Sequence, residues 1–118
     1  MAPEYRVIYI KVSKATHTYK PLIRAVTWVE SKWGVHVWNA KERAVGWFQI
    51  RQIRVDDYNK RTKSNYKLTD FYNYNLSEQM FLYYAKGKTY EQAAKSWNGS
   101  GPKTITYWQN VQLALIKN

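Results

Sequence analysis

Hydrophobic positions recur along this chain mainly at helical spacing. Pro21 suits the first turn of a helix, and Leu22, Val26, Val29 and Trp33 follow at intervals of three and four before Gly34 ends the run. Val55 to Arg61 predicts a second, short helix. Leu76, Met80, Phe81 and Tyr84 predict a third, opening near Ser77 and ending at Gly87. Tyr90, Ala93, Ala94 and Trp97 predict a fourth, halted by Asn98-Gly99-Ser100-Gly101-Pro102. Ile105, Trp108, Val111 and Leu115 predict the last. Between them, residues 34 to 45 read as a loop around Asn39, Lys41 and Glu42. Gly46-Trp47-Phe48-Gln49-Ile50 is an apolar island read as a helical turn, and residues 62 to 75 are a polar, tyrosine-rich excursion. Residues 5 to 12 are β-branched and fit either a strand or a packed helical lead-in.

The pattern predicts a mostly α fold: one compact helical domain with at most a minor β element, in residues 5 to 12 or 34 to 50. Residues 1–20 form a lead-in and residues 21–118 the domain proper. The 118 residues suit one core and leave no room for a second. There are no internal repeats or low-complexity tracts.

Composition adds three constraints. The chain has 6 Trp, 11 Tyr and 3 Phe, more rings than a core this size needs, and Trp and Tyr also suit a groove that stacks on sugar rings. A net charge of +11 attracts polyanions such as nucleic acid, anionic membrane or the polymers of a bacterial envelope, but the cations are dispersed rather than clustered. No cysteine is present, which excludes disulfides and thiolate metal sites. His17 and His36 match no metal spacing, so no metal and no cofactor is expected. No run reaches transmembrane length, and the N-terminus lacks the order of a secretion signal. The expected location is the cell envelope, periplasm or exterior, or a phage particle.

Glu30 is the chemical anomaly. It falls in the row Ile23, Val26, Glu30, Trp33 on one helical face, beside Trp28 and Val29. Burial disfavours a charged carboxylate, and a glutamate that keeps its proton near neutral pH is what glycosidic cleavage needs. The plain alternative is a solvated glutamate at the border of the helix, or one paired with Lys32.

Three motifs in order bear on that choice: Glu30-Ser31 at a helix end, Gly46-Trp47-Phe48-Gln49, and Ser96-Trp97-Asn98 closing the fourth helix. Together they resemble the lytic transglycosylases of the lysozyme-like superfamily, which carry Glu-Ser, Gly-Leu-Met-Gln and Ala-Tyr-Asn in that order. The resemblance spans roughly residues 21 to 112 and implies a lysozyme-like α+β fold with a central catalytic helix. It implies that Glu30 is the catalytic acid/base and that Ser31 helps hold the carboxyl or the substrate. It further implies that Gly46 permits close backbone approach, that Gln49 lines the glycan groove, that Asn98 hydrogen-bonds near the acid, and that Tyr107 reaches the same pocket. Gln49 and Asn98 should then flank Glu30 in one cleft with Trp47 or Trp97 on its wall. Two departures stand out. Trp47 and Phe48 replace Leu and Met, as bulkier packing or as extra stacking surface. Trp97 replaces Tyr, which removes any hydroxyl contact to the acid from that position.

The function implied is cleavage of the β-1,4 bond between N-acetylmuramic acid and N-acetylglucosamine in peptidoglycan glycan strands by a monomeric enzyme. A single acid would act as a lytic transglycosylase. A second carboxylate, from Glu42 first and otherwise Asp56, Asp57 or Asp70, would make it a hydrolase of the lysozyme type. Two rivals are a basic nucleic-acid-binding module, for which the Tyr and Lys of residues 58 to 67 speak, and a lysozyme-like domain that only grips peptidoglycan. No helix-turn-helix, zinc-finger or RNA-binding signature supports the first, so no nucleic-acid partner is expected.

Overall fold

The computed structural model describes residues 19–117, and the expectations for residues 5 to 12 and for His17 lie outside these. Within it α1 spans Lys20–Ser31, β1 Trp38–Asn39, β2 Ala44–Val45, α2 Gln52–Thr62, a 3₁₀ helix Leu68–Tyr72, α3 Tyr74–Ala85, α4 Tyr90–Asn98 and α5 Lys103–Lys117. The fold is mostly α. The two short strands pair antiparallel, Trp38 with Val45 and Asn39 with Ala44, as the minor β element within 34 to 50.

Local chemistry sets most boundaries. Pro21 sits in the first turn of α1, where its missing N–H costs no bond. Asn73 caps α3 by accepting from the Leu76 N–H at 2.9 Å, so that helix opens three residues ahead of Ser77. Thr89 and Gln92 form a reciprocal capping box on α4. The end of α1 differs from expectation. Lys32 and Trp33 both turn left-handed, and their N–H groups bond back to Trp28 and Thr27, so the helix stops at Ser31, before Gly34.

The segment 46–50 is not a helical turn. Val45 and Ile50 exchange both backbone bonds at 2.9 Å, which closes a tight loop with Gly46 at φ +80° and Gln49 at φ +52°. The loop drives Phe48 into the centre of the core, against the rings of Phe81, Tyr74 and Trp97. Trp47 packs edge-on to Tyr74. Both replacements in this motif are therefore packing rather than stacking surface.

The last helix is rotated from the face that hydropathy predicts. Thr104, Tyr107, Val111 and Ala114 are buried, whereas Ile105 is 54 % exposed and Trp108 and Leu115 are half-buried. The reason lies in the partners. α5 lies against both α1 and α4, and all three helices carry buried alanines: Ala25 on α1, Ala93 and Ala94 on α4, Ala114 on α5. Small residues let helix axes approach, so the larger aliphatics of α5 are left outside.

Gly46 holds the turn against the 3₁₀ helix. A Cβ there would collide with the Phe71 carbonyl oxygen, at a φ that side chains rarely adopt. Gly46→Ala is expected to destabilise the protein by about 2 kcal/mol or more, from combined backbone strain and overpacking. Urea unfolding followed by circular dichroism measures it, and an unchanged midpoint would contradict the account.

Candidate active site

The site is built around the last turn of α1. Glu30 follows Val26 by one helical turn, so its side chain leaves the core at the edge where α1 meets α5. There the Tyr107 hydroxyl donates to Glu30 Oε2 at 2.8 Å. Tyr107 is buried because α5 is rotated as described, and burial with the adjacent carboxyl raises its own pKa, so it remains a donor. Glu30 is not paired with Lys32, whose ammonium lies over the Trp28 ring at 4.6 Å.

Burial pushes the Glu30 carboxyl from 4.5 up to about 7, against the opposing effects of the Tyr107 hydrogen bond and of the Arg51 and Arg54 charges. The carboxyl opens to a cleft of about 520 Å³. Gln49, Asn98 and Trp97 line the same cleft, with Arg51, Arg54 and Lys103. The structure thus brings together Glu30, Gln49, Asn98 and Trp97, and sets Tyr107 directly behind the acid.

Gln49 owes its place to the tight loop. Its left-handed backbone costs about 1 kcal/mol, and its side-chain Nε2 answers by donating to the Gly46 carbonyl at 2.9 Å and the His36 carbonyl at 3.2 Å. Asn98 ends α4, and its Oδ1 is buried without a hydrogen-bond partner. An orphaned acceptor on a cleft wall is a position where a ligand N–H or O–H is worth most.

Three expected residues sit differently. Ser31 does not reach the carboxyl or the cleft. It is 1 % exposed, and its hydroxyl lies 2.8 Å from the Trp47 carbonyl and accepts from the Gly34 N–H at 3.0 Å. It ties the end of α1 to the loop that presents Gln49, a positioning task. Gly46 is approached by the 3₁₀ helix, not by the cleft. Trp47 lies off the cleft, and the wall carries Trp97 alone of the two. Trp97 is 7 % exposed, with its indole N–H directed at the Phe48 carbonyl at 3.3 Å, so it offers an edge rather than an open ring face.

Of the four further carboxylates, Glu42 and Asp57 line the cleft. Glu42 is 3.8 Å from Arg51, with both side chains well exposed. Asp57 is held below the usual carboxylate range by the Tyr84 hydroxyl at 2.5 Å and then by Arg61 at 2.7 Å. Asp56 accepts from Gln52 at 2.8 Å, and Asp70 accepts the Lys67 N–H of its own 3₁₀ turn at 2.7 Å. Neither of these is on the cleft.

Sequence reasoning missed Arg51 and Arg54, which sit at the start and in the first turn of α2. The signal was there in part: two cations three residues apart, on a helix that directly follows the Gly-Trp-Phe-Gln motif. Among the described residues no group of three His, Cys, Asp or Glu is placed to hold a metal ion, and no helix is long and apolar enough to cross a membrane.

The raised carboxyl carries a thermodynamic signature. A group whose pKa is higher folded than unfolded binds more protons when folded, so the contribution of Glu30 to stability is fully present below pH 4.5 and is lost as pH rises through 7. The displacement corresponds to up to about 3 kcal/mol. Glu30→Gln is expected to remove this slope and to leave the variant more stable than the wild type at pH 8. Chemical unfolding at pH 4, 6 and 8 tests it, and parallel pH profiles for the two proteins would contradict a buried, proton-retaining Glu30.

Comparison of the chain with protein-family models, with curated proteins and with solved structures finds no match.

Proposed function

We propose that this protein cleaves the glycan strands of peptidoglycan between N-acetylmuramic acid and N-acetylglucosamine, with Glu30 as general acid and then general base. The observation that carries this reading is a carboxyl raised to about 7 by burial, backed by a tyrosine hydroxyl, and open to a cleft. A carboxyl that keeps its proton near neutrality can protonate a leaving oxygen, which is the first demand of glycosidic cleavage. The order Glu30-Ser31, Gly46 to Gln49 and Ser96 to Asn98 supplies the substrate class through its resemblance to the lytic transglycosylases.

In this reading the protonated Glu30 donates to the glycosidic oxygen while Tyr107 fixes the rotamer of the carboxyl. The substrate's own acetamido group attacks the anomeric carbon as the leaving group departs. The Glu30 carboxylate then accepts the proton of the sugar's 6-hydroxyl as that oxygen attacks the anomeric carbon and displaces the acetamido oxygen, which closes a 1,6-anhydro ring and restores the acid. Asn98 Oδ1 and Gln49 offer polar contacts to the strand. The engaged state of Asp57 favours this single-acid course.

One observation keeps a hydrolase as the second reading. Glu42 lies on the same cleft and is paired only at 3.8 Å with an exposed arginine, so it is free to activate water. The expected setting is the bacterial envelope or a phage, and the +11 charge suits anionic wall polymers. A binding-only role and a nucleic-acid module are both answered by one pair of assays, wall turbidity beside a DNA gel shift.

Glu30→Gln is expected to lower wall cleavage by ~10²–10⁴-fold while leaving folding and glycan binding intact. Residual activity above about a tenth of wild type would remove Glu30 from the catalytic role, since general acid catalysis contributes more than that. Mass spectrometry of digested wall separates the two mechanisms. An anhydromuramic end, one water lighter and inert to borohydride, is expected, whereas a reducing muramic acid end would establish the Glu42-type hydrolase instead.

A further inference from the structure

Arg54 is the most constrained cation on the cleft. Its guanidinium lies 4.5 Å from the Trp97 ring centroid and 4.8 Å from that of Tyr84. Nη2 donates to the Trp97 carbonyl at 2.7 Å and to the Ser96 carbonyl at 3.3 Å, at the last turn of α4. Tyr84 is itself anchored by its hydroxyl on Asp57. A planar, permanently charged group held on two ring faces and two carbonyls has few rotamers left. It also lines the cleft that Glu30 lines.

We propose that Arg54 is the positioning residue of the Glu30 acid: the Trp97–Tyr84 clamp fixes its charge on the cleft so that Glu30, once it has given its proton to the substrate, persists as a carboxylate long enough to take one back. The inference rests on the reading of Glu30 as the glycan-cleaving acid. It also gives a physical role to the tryptophan at position 97. Where the resembling family has a tyrosine, this chain has an indole whose face carries a guanidinium.

The problem solved is one of cycling. Desolvation favours the neutral acid, which is right for the first step and wrong for the second, when the site must hold a carboxylate. A fixed cation offsets part of that penalty without giving the carboxyl a direct ion pair, which would keep it ionised and unable to donate. The other titratable and charged groups around the cleft are Tyr107 behind the carboxyl, Arg51 and Glu42 at 3.8 Å from one another, Asp57, Lys103, and Tyr84 beneath the guanidinium. Arg51 acts on Glu30 with the same sign and the stronger direct pull of the two, but its side chain is 45 % exposed and carries no ring clamp, so solvent screens it and leaves it mobile. Arg54 is half-buried, and desolvation lowers its own pKa.

The test reads the two groups directly, so it stands whether or not the protein cleaves wall. In the intact wild type, the Arg54 guanidinium nitrogen resonances are expected to inflect at the same pH as the Glu30 carboxyl carbon, and Glu30→Gln is expected to abolish that inflection. This needs no substitution at Arg54. A flat Arg54 resonance across the Glu30 titration would overturn the proposal. Arg54→Gln is expected to move the Glu30 midpoint up by about half a pH unit or more, since removing a nearby positive charge favours the protonated acid. Arg54→Lys, which keeps the charge but loses the planar group that the clamp holds, is expected to shift the midpoint measurably but less than Arg54→Gln, and Arg51→Gln is expected to shift the midpoint less than Arg54→Gln. An unmoved midpoint in Arg54→Gln, a shift in Arg54→Lys as large as in Arg54→Gln, or a larger shift from Arg51→Gln would each overturn it. For cleavage, the activity of Arg54→Gln is expected to fall several-fold and its alkaline limb to move up with the midpoint. A loss that is equal at every pH would mark Arg54 as merely structural.

Discussion

The carboxyl of Glu30 is half-buried at the crossing of α1 and α5 with one hydrogen-bond donor among the described residues, Tyr107, directed at it, and much else in the molecule follows from accommodating it. A carboxylate in such a place needs compensation by charge or by hydrogen bonds, and one neutral hydroxyl is too little to keep it fully ionised. The site settles at a carboxyl that is half protonated near pH 7. To bring Tyr107 there, α5 buries Thr104, Tyr107, Val111 and Ala114 and leaves Leu113 and Ile116 in solvent. Apolar exposure on the outer face of α5 accompanies the placement of a polar contact on the inner one.

The acid and the two cleft walls are connected through part-buried polar bonds. Ser31, next to Glu30, is bonded to the carbonyl of Trp47, and the same loop presents Gln49 two residues later. On the opposite wall, Arg54 joins α2 to the carbonyls at the end of α4, immediately before Asn98. The aromatic residues fill the space between these ties: Phe48 meets Phe81 and Trp97, and Trp97 meets Tyr84. The excess of rings in the composition is thus largely structural. Tyr19, Tyr58 and Tyr107 are buried with their hydroxyls bonded, and the Trp97 indole N–H is likewise engaged. Side chains locked in this way hold the groups of the cleft in fixed positions relative to one another.

The cleft itself is polar and of mixed sign, with Glu42, Asp57 and Glu30 facing Arg51, Arg54 and Lys103. It is not the uniformly basic groove that the net charge of +11 would suggest for a nucleic-acid binder. Most of the excess positive charge lies elsewhere on the chain, which suits attraction to a polyanionic surface at long range.

The sequence by itself determined the helices, because three- and four-residue spacing together with Pro21, Gly87 and Gly99 are local signals that need no tertiary partner. It also singled out Glu30 as an acid on an apolar row, and the three motifs that the chain brings to one region. It did not determine which side of α5 faces inward, since periodicity reports apolar positions and is blind to the small residues that let α1 and α4 approach. Nor could it show that the Gly46 to Gln49 island is a left-handed loop, because Trp and Phe there read as helical core until the bridge from Val45 to Ile50 is known. Ser31 was assigned to the cleft by its neighbour, yet adjacent residues on a helix point about 100° apart, and one of the two had to turn inward. Arg54 was invisible as a site residue for the same reason: its rings, its carbonyls and the acid it faces are separated from it by 24 residues or more, and only packing brings them together.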